Sequence, residues 1–459
     1  MSDILYSKNQ KEDNIHVQDN LLAQRFNLFS LLKFALPTIF MMIFMGLYTI
    51  VDTIFVSRFV DTNALSAINI VCPIINIIVG LGTMLATGGS AIVACKMGNG
   101  DMDGANKIFT LTILSGVIIG ILITSIGLIF MDNIIIWLGA SDILIQYCRS
   151  YLFVILIFAS ANILQVLFQS LFVTAGKPQF GLWLVIGAGC TNIILDYVFI
   201  VPLQMGIGGA ALATGIGYLI PTIAGIVFFS KNKGALRFCT PKLDKKVLFK
   251  ICFNGSSEMV GQLSTAVTTF LFNVMMMRLI GEDGVAAITI IIYSQFLLTS
   301  LYIGFSMGVA PVISYNHGSG NSIQLKRIFK ICILFISVAS LLVFIFSILH
   351  SPTIVEIFSP RGSNVYNITK YGFYIFSFSF LFCGYNIFTS AMFTALSNGK
   401  ISAILSFLRT FGFITISLLI LPSLIDINGI WLAVPIAEAL TLFLTVIFIY
   451  RYKNKYDYI

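Results

Sequence analysis

Residues 58–109 can be laid over residues 278–329 without a gap, at one constant offset, inside two halves that are each almost wholly apolar. Arg58 then meets Arg278, Ala67 meets Ala287, Gly88 meets Gly308, Gly98 and Gly100 meet Gly318 and Gly320, and Ile108-Phe109 meets Ile328-Phe329. A looser match pairs Gly176-Lys177 with Gly399-Lys400, and the glycine-rich stretch 206–209 with Asn428-Gly429. A chain written twice is constrained to fold as two like units. In a membrane, the seam between such repeats is where a solute path runs.

With 58% hydrophobic residues, 10% charged residues and 41 Phe, the chain is too apolar for a soluble protein of its length. Apolar stretches of about 20 residues or more, enough to cross a bilayer, recur near 29–57, 63–94, 106–130, 143–173, 179–203, 207–230, 249–280, 284–316, 325–349, 366–396, 401–421 and 427–450. The expected fold is an all-α membrane protein of twelve transmembrane helices. Several stretches exceed the minimum and must tilt, bend or enter the headgroup region. The expected organisation is a tail (1–28), a six-helix bundle (29–230), a linker (231–248), a second six-helix bundle (249–450) and a short tail (451–459). Six crossings return the chain to its starting side, so the copies are parallel repeats about an axis along the membrane normal.

The first apolar stretch follows a polar segment and lacks a small-residue cleavage site, so it reads as a retained helix and not a signal peptide. Basic residues orient the chain. With the N-terminus cytoplasmic, only Arg58, Arg278, Arg361 and Lys370 of the 27 Lys and Arg face outward, while Arg149 and Arg409 fall in helices. The rest lie in inner loops and tails, Lys231, Lys233, Arg237, Lys242, Lys245, Lys246 and Lys250 among them. This satisfies the positive-inside rule with both termini cytoplasmic. The net charge of +8 is therefore a topology signal split over short loops, with anionic lipid and not nucleic acid as its partner. The eight Cys are isolated and form no CxxC pair, and His16, His317 and His350 are scattered, so no metal cluster, disulfide framework or cofactor is expected.

Charges inside a bilayer are costly, face the bundle interior and mark pathways. Asp52, Asp196, Glu258, Arg409 and Glu438 are such charges. By helical rise, Asp52, Asp196 and Thr214 all fall roughly 8–10 Å below the outer surface. Asn192 precedes Asp196 by one turn on the same face. Two carboxylates, an amide and a hydroxyl at one depth can hold Na⁺. They can equally share a proton, since desolvation and like charge both disfavour two ionised carboxylates. The structural alternative is a hydrogen-bond network that glues the first bundle. Glu258 and Arg409 share a depth roughly 13 Å from the inner surface, which permits an ion pair or separate snorkelling. Glu438, near the middle of the last segment, either pairs with Arg409 or attracts a cationic solute, and the sequence does not choose. Pro37 removes a backbone hydrogen bond in the helix that carries Asp52, so it either serves packing or bends that helix when Asp52 changes state. Tyr48, one turn before Asp52, is the candidate gating or cavity residue.

The segments LPTIFMMIFMGLYTIVDTIFVSRF, GDMDGANKIF, TAGKP, TNIILDYVFI and GIGGAALATGIGY, in this order and spacing, resemble the multidrug and toxic compound extrusion (MATE) family of the MOP superfamily, and the likeness covers nearly the whole chain. The resemblance implies a cation-coupled antiporter that exports organic cations and amphipathic drugs, conferring multidrug efflux at a bacterial inner membrane. It implies coupling roles for Asp52, fifteen residues after Pro37, for Asn192 and Asp196, four apart, and for Thr214. One branch of the family adds a cation site in the second half through an aspartate in its tenth helix. YGFYIFSFSFLFCGYNIFTSAMF contains no acid, so the chain is most similar to the DinF-like branch, whose coupling centres on the first half. The coupling ion, H⁺ or Na⁺, stays open.

Two other classes were weighed. A flippase for lipid-linked oligosaccharide or lipid would line its cavity with several basic residues, whereas only Arg409 is plainly intramembrane and the balance there is acidic. An enzyme lacks support, for no Ser/His, metal-ligand or Walker motif occurs. The expected working form is a monomer in the lipid bilayer, with small organic cations and drugs as its partners.

Overall fold

A computed structural model describes residues 21–60, 62–231, 234, 236–240 and 243–459, without the side chains of 53, 54, 57, 58 and 62. His16, Lys233 and Lys242 lie outside the described residues, as does the Arg58 side chain. All regular structure among the described residues is helical. Eleven helices are long and apolar enough to cross a membrane, or twelve when Asp142–Ile157 and Ala159–Thr174, bent by 52°, count as one span. They are α1 (Leu28–Phe59), α2 (Thr62–Gly98), α3 (Met102–Ile129), α4 (the bent pair), α5 (Pro178–Ile200), α6 (Gly206–Lys231), α7 (Lys245–Leu279), α8 (Glu282–Gly318), α9 (Ser322–Phe358), α10 (Asn364–Ala395), α11 (Gly399–Ile425) and α12 (Ile427–Tyr456). Large apolar side chains such as Ile129, Trp183, Leu349 and Phe443 face outward, as a lipid-solvated surface requires.

Hydropathy places the elements but shortens them. The ninth apolar stretch ends near 349, whereas α9 continues to Phe358. A helix keeps its backbone hydrogen bonds in the headgroup region as well as in the hydrocarbon, so apolarity stops marking its extent there. Its start is set by capping. Asn321 Oδ1 accepts from the Gln324 amide at 3.0 Å, and at the repeat-equivalent position Asp101 Oδ1 accepts from the Gly104 amide at 2.9 Å.

The two turns match bond by bond. Asn99 N donates to Cys95 O, Gly100 N to Met97 O and Asp101 N to Lys96 O, while Ser319 N donates to Tyr315 O, Gly320 N to His317 O and Asn321 N to Asn316 O. Gly100 (φ 77°) and Gly320 (φ 67°) occupy the left-handed region that a side chain would disfavour. Lys96 binds Asp101 at 2.7 Å and, with the Gly104 amide, holds that carboxyl below the ordinary carboxylate range.

Extensive interhelical contacts join the first six helices to the last six: α2 with α7, and α1 with α8. They concentrate toward the end of the molecule that carries the α2–α3 and α8–α9 turns, here called the base. A Cβ on Gly98 would overlap the Tyr315 carbonyl, and one on Gly318 would overlap the Cys95 carbonyl. These are one contact with the roles exchanged, because Cys95 and Tyr315 are equivalent in the repeat. Likewise Gly88 lies against Ile251 and Gly255 of α7, and Gly308 against Ala35 and Thr38 of α1. Small residues let backbones approach where lipid offers no hydrophobic drive for helices to associate.

This reciprocity predicts the response to added bulk. Gly98→Val and Gly318→Val should each destabilise the purified protein by about 1–3 kcal/mol, the range for overpacking, and by similar amounts. Gly261→Ala should change little, since its Cβ meets no atom within 4 Å. Thermal unfolding in detergent provides the measurement, and a large disparity between the two valine variants would rule out a shared contact.

Candidate functional site

Gly189 brings α5 against α1. Its bare Cα faces the rings of Phe44 and Tyr48, leaving no room for a side chain. From there α5 presents Asn192 and then Asp196 one turn on, both buried. Asp52 of α1 lies within electrostatic reach of Asp196 of α5. The α5–α6 contact adds Thr214, which accepts from Asn192 Nδ2 at 3.3 Å and donates to Ala210 O at 3.0 Å. Thr214 thereby occupies the amide nitrogen of Asn192 and leaves the Asn192 carbonyl oxygen free.

Four buried oxygens at this site have no hydrogen-bond donor among the described residues: Asp52 Oδ1, Asn192 Oδ1 and both carboxyl oxygens of Asp196. Buried polar atoms without partners are rare and call for an explanation. Two carboxyl groups within electrostatic reach of each other, with no Lys or Arg paired to either among the described residues, need a positive charge between them. A proton shared by the carboxyls or a small cation held by the oxygens meets that need equally.

The surroundings include residues that sequence reasoning missed. Tyr48 borders a narrow crevice with Gln165, Gln169, Asn192, Thr214 and Tyr218, and Tyr151 lies within electrostatic reach of both carboxyl groups. Gln165 and Gln169 are buried in α4. Amides in so apolar a helix were a usable signal, and Tyr218 follows Thr214 by one turn. Pro37 is buried in α1, which runs unbroken through it, next to the Thr38 that meets Gly304 and Gly308. Pro37 and Asp52 thus share one rigid element, separated by about 22 Å of helical rise.

The second set of intramembrane charges is not brought to the first. Arg409 Nε donates to Glu438 Oε1 at 2.9 Å, and Asn386 Nδ2 donates to Glu438 Oε2 at 2.7 Å and to its carbonyl at 2.9 Å. Thr445 Oγ1 completes the chain by donating to Asn386 Oδ1 at 2.9 Å. Between the partners left open by depth alone, the structure selects Glu438 for Arg409. Arg409 rides on a π turn, Leu408–Gly412, that interrupts α11, a feature frequent at functional positions. Glu258 lies within electrostatic reach of Arg409 but makes no ion pair among the described residues. All eight cysteines are free.

Removing one member of the buried pair strands the other charge, at a cost of roughly 3–5 kcal/mol. A double-mutant cycle of Arg409→Met with Glu438→Gln, read by thermal unfolding, should show strong coupling, whereas Arg409→Met with Glu258→Gln should be close to additive. Additivity in the first cycle would mean the pair does not hold the helices together.

A family model described as MatE matches residues 37–198 and again residues 259–419. The multidrug export protein MepA of Staphylococcus haemolyticus is 25% identical over 434 residues, which are 93% of this chain and 94% of that protein. MepA of Staphylococcus aureus (strain MRSA252) is 23% identical with the same coverage. Among solved structures, an outward-facing multidrug resistance MATE family transporter of the MOP superfamily superposes with a TM-score of 0.88 at 22% identity, covering 94% of this chain and 96% of that one. A MOP superfamily transporter from Pyrococcus furiosus gives 0.87 at the same identity and coverage.

Proposed function

The chain belongs to the MATE family, and on that footing we propose that it is an antiporter that exports organic cations and amphipathic drugs in exchange for inward H⁺ or Na⁺. The observation that carries the coupling role is the Asp52–Asp196 pair, half-buried and buried respectively, within electrostatic reach of each other and with three carboxyl oxygens that lack donors among the described residues. Such a pair holds a cation from the outer solution and must release it to the inner one, which is what an antiporter requires of its ion site. The export role is supported by relatives that are named multidrug export proteins, and transporters among the matched proteins favour transport over catalysis.

The roles divide among the residues as follows. Asp52 and Asp196 carry the charge that the coupling ion neutralises. Asn192 offers its carbonyl oxygen, and Thr214 positions Asn192 by holding its amide nitrogen. Tyr48 lines the crevice through which the site is reached, and Pro37 lets α1 respond near the seam with α8. Drug and coupling ion must favour opposite states or compete, since a ligand shifts an equilibrium only by its differential affinity. In this reading the first and last six helices move as two bundles that alternate between inward-open and outward-open arrangements. The Arg409–Glu438 pair stays internally compensated. That compensation weighs against a flippase for pyrophosphate-linked lipids, because the half-buried guanidinium already has its anion.

In this reading the base faces the cytoplasm of a bacterial cell and the opposite end, the mouth, faces outward. A single cysteine placed at 455 should react with an impermeant thiol reagent only from the inside, and one placed at 363 only from the outside. Labelling of 455 in intact cells would invert the assignment.

Asp52→Asn preserves size and hydrogen bonding but removes the charge. The variant should reach the membrane, and drug export against a gradient should fall to background in vesicles with imposed pH or Na⁺ gradients. Asp196→Asn should match it, while Asn192→Ala and Thr214→Ala should raise the cation concentration needed for half-maximal export. Near-normal export by the Asp52→Asn/Asp196→Asn double variant at matched abundance would remove the pair from the mechanism. Imposing the two gradients separately identifies the coupling ion.

A further inference from the structure

At the mouth the two halves stand apart around a cavity of about 670 Å³, with Ile50 of α1 on one side and Ala286 of α8 on the other. At the base they are closed, and the glycine seam is joined there by a second contact that crosses between them. Residues 21–27, just ahead of α1, form one 3₁₀ turn, Leu21–Ala23, and then a stretch without regular structure. Leu22 and Phe26 are fully buried, in an apolar cluster that also holds Val312 of α8 and Leu325 of α9, both in the second half. Leu21 covers the turn between α4 and α5 in the first half, where a Cβ on Gly176 would stand 3.1 Å from the Leu21 Cβ. The segment therefore lies across both halves.

One buried hydrogen bond fixes the crossing. Gln324 Nε2, in the first turn of α9, donates to the Phe26 carbonyl at 3.1 Å. Both of its ends are anchored. Asn27 Oδ1 accepts from the Ser30 amide and Ser30 Oγ from the Asn27 amide, each at 2.8 Å, a capping box that ties Phe26 to the start of the helix carrying Asp52. The Gln324 amide is held by Asn321 in the α8–α9 turn at 3.0 Å. A shift of α1 against α9 thus acts directly on the Phe26–Gln324 bond, and a buried carbonyl that loses its donor is costly.

The other segments at the base behave differently. After α6, Arg237 N donates to Asn106 Oδ1 at 2.9 Å and the Phe238 ring packs 5.2 Å from Phe109, both contacts on α3 of the same half. After α12, at the repeat-equivalent positions, Asp457 pairs with Lys326 at 2.8 Å and the Tyr458 ring packs 5.2 Å from Phe329, both contacts on α9 of the same half. Each of these clips holds a sixth helix to the third helix of its own bundle, and both bundles can rock without disturbing them. Residues 21–27 have no such freedom, since they belong to one bundle and are bonded to the other.

We propose that residues 21–27 are a strap that holds the base shut while the mouth is open, and that opening of the base requires Phe26 to leave Gln324 and the strap to swing off α9 together with α1. Gln324 is a positioning residue, placed at the base far from the coupling carboxylates. The place of this release in a transport cycle rests on the antiport reading above; the effect of the strap on the base does not.

Hydrogen exchange read by mass spectrometry, on purified full-length protein in lipid nanodiscs, tests the effect on the base. In Gln324→Ala the amides of the turns 96–101 and 316–321 should exchange about fivefold faster, the factor expected from one lost hydrogen bond, while those of 282–293 at the mouth end of α8 should exchange more slowly. A fold that is merely loosened would instead exchange faster at both ends, and that result would count against the strap. Release is tested by cross-linking Arg25→Cys to Ile323→Cys, exposed positions beside the two bonded residues, with a reducible bifunctional thiol reagent. The cross-link should abolish gradient-driven drug export and reduction should restore it, with each single-cysteine variant accounting for native thiols such as the exposed Cys190. Both cysteine substitutions change exposed side chains, so this arm reports even where Gln324→Ala does not fold. Unchanged exchange at the base in Gln324→Ala, or full export by the cross-linked protein, would overturn the proposal and leave the antiport reading standing. Conversely, the predicted exchange pattern in a protein whose wild type shows no gradient-driven export would keep the strap and sink the antiport reading.

Discussion

Backbone contact between α2 and α8 at the base is the constraint from which the rest of the architecture follows. Cys95, Gly98, Tyr315 and Gly318 form a self-complementary patch, each half supplying the glycine that receives the other's carbonyl. Within lipid, helices gain little from burying apolar surface, so attraction has to come from dispersion at short range. Dispersion decays over a fraction of an ångström of separation. The seam is consequently either closely engaged or of little value, and it favours two discrete arrangements over a continuum of partly open ones. Because the close contacts lie toward the base, the mouth is free to hold the cavity bounded by α1 and α8.

The parts that were legible in the chain were those with a repeating physical cause. Hydrocarbon thickness imposed a common minimum length on every crossing, so the twelve spans could be read from apolarity alone. Repeated turn chemistry exposed the duplication, and in the structure it resolves to matched left-handed glycines and matched caps at Asp101 and Asn321. Depth estimates placed Asp52 and Asp196 at one level because helical rise is uniform. Azimuth was less accessible, since equal depth does not say which helices are neighbours. Depth alone therefore does not choose between Glu258 and Glu438 for Arg409, and no sequence period marks Asn386 and Thr445, which complete the Glu438 hydrogen bonds. The π turn under Arg409 was hidden for a related reason: it depends on tertiary packing and has no sequence period.

Duplication preserved the backbone while the side-chain chemistry diverged. In the first half, Asp52 and Asp196 lie within electrostatic reach of each other, and among the described residues neither pairs with a base and Asp52 Oδ1 and both Asp196 oxygens lack donors. In the second half, Glu438 is met by Arg409 and Asn386, so its carboxylate is satisfied from both sides. A site that exchanges an ion must be incomplete without that ion, for a fully satisfied network has nothing to gain by binding one. A strut has the opposite requirement. The unsatisfied carboxyl oxygens thus lie in the first half and the satisfied carboxylate of Glu438 in the second.

The same contrast explains why α1 occupies its position. It packs on α5 through Gly189, on α8 through Thr38 and Ala35, and it presents Ile50 to the mouth cavity. Any other helix of the first six would separate at least one of these tasks. Asp52, the base contact and Ile50 at the cavity lie on one continuous helix, so a rigid shift of that helix moves all three together. Pro37 lies on that rod near the seam with α8, about 22 Å of helical rise from Asp52.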